Sequence, residues 1–157
     1  MRHEPHVPGP PPSAGHGPSD TGLAVALART AGQRLLELRH ELADRSGDEV
    51  KQRGDQTAQQ VLAAGLSAAR PADAVLSEEA TDDRARLDAA RVWIIDPLDG
   101  TREYSEGRHD WAVHVALWQD GELTAGAVAL PGLGAVLATE PAPAVPPRDP
   151  DAPCAWR

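Results

Sequence analysis

Cysteine is almost absent. Cys154 stands alone, so no disulfide can form within the chain, and its place in a proline-rich tail reads as an incidental cytosolic thiol. Aromatic residues are only 3% of the 157, and much of the 41% hydrophobic content is alanine, which predicts a thin core. Positive charge is also short. A formal net charge of −9 argues against nucleic-acid backbone or anionic membrane as partners, since either wants a basic face. An anionic ligand would then bind only where metal or local basic groups reverse the field. No stretch approaches the roughly 20 apolar residues of a membrane span, and no basic region followed by an apolar segment opens the chain. A cytoplasmic location is the default expectation.

The ends carry little to bury. Six prolines fall in residues 1–19 and six more in residues 141–157, so both read as disordered segments. His3, His6 and His16 are too irregularly spaced to read as a metal tract. The globular domain is expected over residues 20–140. Leu23, Leu27, Ala31, Leu35, Leu38 and Leu42 recur at steps of four and three, one face of a helix capped by Asp20 or Thr21 and ended by "RSGD". A second helix reads over "GDQTAQQVLAAGLSAARP", with Leu62, Leu66 and Ala69 on its stripe and Pro71 beyond its end. Then come short apolar runs: "AVLSEE", "RVWIID", "WAVHVALW", the turn "QDGE", "LTAGAVALP" and "AVLATE". These predict strands, the later ones an antiparallel meander. The fold class is α+β, two N-terminal helices packed on a largely antiparallel sheet. Val113, Val115 and Leu117 would face one side of that sheet and His114 the other, where it reads as a cross-strand histidine.

"WIIDPLDGT" is the most informative stretch. A buried strand runs into Asp96 and Asp99, with Pro97 fixing the backbone between them and Gly100 permitting a positive φ or a close approach. Two carboxylates there can converge on one cation. A helix starting at Thr101 would turn backbone N–H groups toward a phosphate, and hard oxygen ligands suit Mg²⁺. A calcium-binding EF-hand needs acids at alternating positions over twelve residues. A haloacid-dehalogenase-type site has one residue between its aspartates where this chain has two. A plain polar turn accounts for Asp99-Gly100, but not for the acids that also end "LSEE".

Together, "LSEE", "WIIDPLDGTREY", "DWAVHVAL" and "GAVALP" resemble the inositol monophosphatase superfamily of lithium-sensitive metal phosphatases, and Glu103 after "DGTR" resembles the CysQ-type 3'(2'),5'-bisphosphate nucleotidases. The resemblance implies the N-terminal part of an αβαβα sandwich. It also implies Mg²⁺ held by Glu78, Asp96, Asp99 and the Leu98 carbonyl, with Gly100 and Thr101 contacting phosphate. Asp55 and Thr101 would orient and deprotonate the attacking water; the alternative for Asp55 is a helix N-cap. Glu79 is placed as an outer or water-binding acid, and Ser77 as a strand-end residue. The implied reaction is hydrolysis of 3'-phosphoadenosine 5'-phosphate to AMP and phosphate by metal-activated water, with inositol phosphates or fructose bisphosphate as other substrates. No nucleophile elbow is present, in keeping with that route.

The resemblance also implies a second α/β half, with a further metal-binding aspartate in a Trp-Asp-x-Ala-type motif that nothing in this sequence matches. A missing C-terminal half or self-association is therefore the expected partner. A non-catalytic metal-binding remnant is the other reading.

Overall fold

The structure is a computed structural model describing residues 18–80 and 84–144. The Pro-rich segments expected at the two ends, with His3, His6, His16 and Cys154, lie outside the described residues, apart from residues 18–19 and 141–144. Two helices, α1 (Asp20–Glu41) and α2 (Gly47–Ala69), precede β1 (Ala74–Ser77), β2 (Arg91–Asp99), the short helix α3 (Thr101–Ser105), β3 (Ala112–Gln119), β4 (Glu122–Leu130) and β5 (Ala135–Ala138). The five strands form one sheet in chain order. β1 and β2 are parallel, and the other neighbouring pairs are antiparallel. No helix of the described residues is long and apolar enough to cross a membrane.

α1 buries the whole expected stripe, Leu23 to Leu42. Its cap differs from the expectation. Ser19, not Asp20 or Thr21, accepts the Gly22 N–H at 3.1 Å, which frees Asp20 for Arg70 and Arg91. α1 lies against β3 and β4; Ala24, Ala28 and Ala31 of the helix are buried, as are Ala125, Ala127 and Ala129, the inward residues of β4. Small side chains on both elements bring helix and sheet close, so the alanine richness is used in packing. Three of the aromatics, Trp93, Tyr104 and Trp111, are buried with them. The β3–β4 turn has positive φ at Asp120 and Gly121, as a two-residue hairpin connection requires.

α2 corrects the sequence reading. It begins at Gly47, well before "GDQTAQQ", because Ser46 caps it by accepting the Glu49 N–H at 3.3 Å, and Asp48 and Glu49 fill the first turn. Gly54, read as the start, is interior. A Cβ there would come within 2.9 Å of Leu98 Cδ2 and 2.9 Å of Tyr104 Cε1. Both neighbours are buried, and Tyr104 is further tethered by donating its hydroxyl to the Leu35 carbonyl at 2.8 Å. The glycine sets how near α2 lies to the end of β2.

Gly54→Val should therefore cost about 2 kcal/mol or more through overpacking, read as a lower urea midpoint. An unchanged midpoint would mean that Leu98 and Tyr104 give way freely.

Candidate active site

Asp96 and Asp99 are three residues apart, and a regular strand would point them to opposite faces. The β2–β3 register resolves this. Asp96 pairs with His114, but Asp99, not Leu98, pairs with Ala112. One extra residue sits on β2 as a bulge, so Asp99 returns to the face that Asp96 and His114 share, while Pro97 and Leu98 turn into the core. His114 Nε2 lies 3.1 Å from Asp99 Oδ2; an ionised carboxylate only accepts, so the imidazole nitrogen donates.

Gly100 follows with φ +83°. A side chain here would be strained, and its Cβ would meet the Asp110 carbonyl at 3.2 Å. The chain then reverses into α3, which is pinned by Tyr104 to α1 and by an edge-to-face contact of Tyr104 with Trp111, centroids 5.1 Å apart. Arg39 stacks over both rings at 5.5 and 5.6 Å. At the start of this short helix, the Thr101 hydroxyl lies 3.0 Å from the Leu98 carbonyl and 3.4 Å from Asp55 Oδ1.

Asp55 is inside α2, which rules out the N-cap alternative. Gln59, one turn on, accepts the Ser77 hydroxyl proton at 2.6 Å, and Ser77 Oγ accepts the Glu79 N–H at 3.3 Å. The turn carrying Glu78 and Glu79 is thereby fastened to the same helix that meets Thr101.

Ser77, Glu78, Asp96, Asp99 and His114 line one open concavity of about 560 Å³, floored by Leu76, Ile94 and Ala116. The carboxylates feel one another. Burial, then the charge of Glu79, pushes Asp55 up to about 6 against the lowering hydrogen bond from Thr101. Burial, then Glu78 and Asp99, raises Asp96, with His114 and a backbone hydrogen bond opposing. A cation would relieve this crowding. Among the described residues, however, no group of three or more acidic, imidazole or thiol side chains is placed to hold a metal ion as it stands. The donor set, carboxylates with the Leu98 carbonyl, fits Mg²⁺ in chemistry.

Of the expected site residues, Glu78, Asp96 and Asp99 share the concavity, Asp55 and Thr101 meet, and Leu98 and Gly100 join the two groups. Gln59 was not foreseen, because nothing in sequence spacing links it to Ser77. His114 was read as a cross-strand residue, and its partner Asp99 becomes visible only through the bulge.

The comparisons with known proteins show the family. The inositol monophosphatase family matches residues 19–141, and the chain belongs to that family. It is 55% identical over 126 residues to the 3'-phosphoadenosine 5'-phosphate phosphatase of Mycobacterium leprae, covering 74% of this chain and 46% of the relative. It is 33% identical to the 3'(2'),5'-bisphosphate nucleotidase CysQ of Salmonella typhimurium, covering 68% and 46%. The crystal structure of CysQ from Bacteroides thetaiotaomicron superposes with a TM-score of 0.59 at 30% identity, over 73% of this chain and 43% of that one. The chain spans less than half the length of these relatives.

In the metal-free chain, Asp55 keeps its proton to about pH 6, whereas the ordinary value is 3.8. Between those values the folded state binds more protons than the unfolded one, so this group's contribution falls as pH rises through the window and the loss is complete above it. Asp55→Asn removes that loss. In urea unfolding with chelator present, the variant should gain on the parent between about pH 4.5 and about pH 7.5. An equal difference at both pH values would show that Asp55 is not held neutral by its surroundings.

Proposed function

We propose that this chain carries the carboxylates and the Asp–Thr pair of a Mg²⁺-dependent phosphomonoesterase that hydrolyses 3'-phosphoadenosine 5'-phosphate to AMP and phosphate. The observation that carries the reading is the contact of Asp55, interior to α2, with Thr101, next to the bulged strand end that bears Asp96 and Asp99. Glu78, Asp96, Asp99 and the Leu98 carbonyl would hold the cation. When bound, Mg²⁺ lowers the pKa of water and neutralises charge on the phosphoryl oxygens.

The residues themselves supply orientation and a proton acceptor. A hydroxyl has one proton, so with Asp55 ionised Thr101 shares it between Asp55 and the Leu98 carbonyl. A water beside Thr101 can then give its proton to Thr101 Oγ1 as Thr101 passes its own to Asp55. Water oxygen bonds to phosphorus, the ester P–O bond breaks, and the departing oxygen takes up a proton from solvent. Gly100 and Thr101 would position the phosphate, since the first N–H groups of α3 have no partner inside the helix. No residue of the chain need be phosphorylated.

Substrate choice is supported by the name of the 55%-identical relative and by Glu103 after "DGTR". A second reading is cation binding without turnover. Other phosphomonoesters, inositol phosphates or fructose bisphosphate, are the competing substrates.

Asp96→Asn and Asp99→Asn should each weaken Mg²⁺ binding about 10-fold or more in calorimetric titration, because each loses a ligand and a countercharge. Phosphate release should need Mg²⁺, be inhibited by Li⁺, and show a higher kcat/KM for 3'-phosphoadenosine 5'-phosphate than for inositol 1-phosphate. Parent-like Mg²⁺ binding by both variants would remove the metal site. Tight binding with no phosphate release would leave the second reading. Equal or reversed kcat/KM values would remove the nucleotide substrate alone.

A further inference from the structure

We propose that His114 is a positioning residue for Asp99. This rests on the reading of Asp99 as a metal ligand. Asp99 ends its strand with a side chain 60% exposed, and among the described residues its carboxylate has one hydrogen-bond partner, His114 Nε2 at 3.1 Å. A carboxylate so exposed would otherwise sample several rotamers, and ordering it on a cation would cost entropy. His114 sits on β3, held on one side by β2 and on the other by β4, where it pairs with Val128. It is therefore a fixed post beside a loose ligand.

The geometry leaves room for a ligand. His114 engages Oδ2, so Oδ1 and the remaining lone pairs of Oδ2 stay open toward the concavity that Glu78 and Asp96 also line. The bulge makes the contact available, since without the extra residue Leu98 would stand opposite Ala112 in place of Asp99. Outer partners of metal ligands act in this way, fixing orientation at a distance from the ion.

The test measures Mn²⁺ binding to the full chain by electron paramagnetic resonance, a readout independent of turnover. His114→Ala and His114→Leu should weaken binding about 10-fold. His114→Gln, whose amide nitrogen reaches about as far from the backbone as imidazole Nε2, should restore much of the affinity. In an Asp99→Asn background, His114→Ala should add little, since its effect passes through Asp99. The His114 side chain is 39% exposed, and circular dichroism establishes that the variants are folded. Parent-like binding by His114→Ala, failure of Gln to exceed Leu, or a full His114→Ala effect without Asp99 would each overturn the positioning role. If Asp99→Asn alone binds Mn²⁺ like the parent, the fault lies with Asp99 as a ligand, and the proposal falls with it.

Discussion

The site depends on how closely α2 can approach the end of β2, and one missing methyl group sets that distance. At Gly54 the helix backbone lies against Leu98 and Tyr104 with no space for a Cβ. The next residue is Asp55, and this approach brings it within 3.4 Å of the Thr101 hydroxyl. One turn later Gln59 takes the Ser77 hydroxyl. Residues four apart lie on the same helix face, so a single helix surface grips both the turn after β2 and the end of β1. The acids on those two segments are thereby referred to one rigid element. The opposite end of the layer is also tied. Arg91 bridges Asp20 and Asp73, Arg70 reaches Asp20, and Trp93 Nε1 donates to Asp73 at 2.9 Å. With both ends held, α2 has little freedom to lift from the sheet and relax the contact at Gly54.

The bulge in β2 is the second constraint, and it explains the spacing of the motif. Acids separated by one residue would share a face on a regular strand. Acids separated by two do so only if the strand carries an extra residue between them. Pro97 and Leu98 fill that position and are buried, so the irregularity is packed and not merely tolerated. Burial first, and then the charges of neighbouring carboxylates, raise the pKa of Asp55 on α2 and of Asp96 on the bulged strand, so bringing these groups together is unfavourable. A fold selected only for stability would not gather these groups. A cost of this kind is expected where function competes with stability.

Much of the architecture was legible because burial follows periodicity. All six residues of the α1 stripe are buried, and Val113, Val115 and Leu117 face inward while His114 does not. The start of α2 was misread because glycine is a poor helix former and Gly54 looked like a boundary; its purpose is a tertiary contact that local sequence cannot display. Ser19 and not Asp20 caps α1, while Asp20 pairs with two arginines from distant segments, contacts that local sequence does not display. In the site, the acids were legible from residue type and order. Gln59 and the His114–Asp99 pair were not, since each depends on the register or approach of elements far apart in sequence.

The acidic composition and the chemistry proposed for the site are linked by the same physics. Asp55, Glu78, Glu79, Asp96 and Asp99 cluster about the concavity, and His114 is the one potentially positive side chain lining it among the described residues. A phosphate entering that field alone would be repelled, because exchanging water for like charge is unfavourable in a partly buried cleft. Arg102 and Arg108 do not reverse the field there, since they are engaged with Glu106 and Asp110. A divalent cation between carboxylates and phosphate turns both repulsions into attractions. The shortage of positive charge and the crowding of acids at the ends of two strands are therefore compatible with the phosphate ester proposed as substrate only through the metal ion proposed with it.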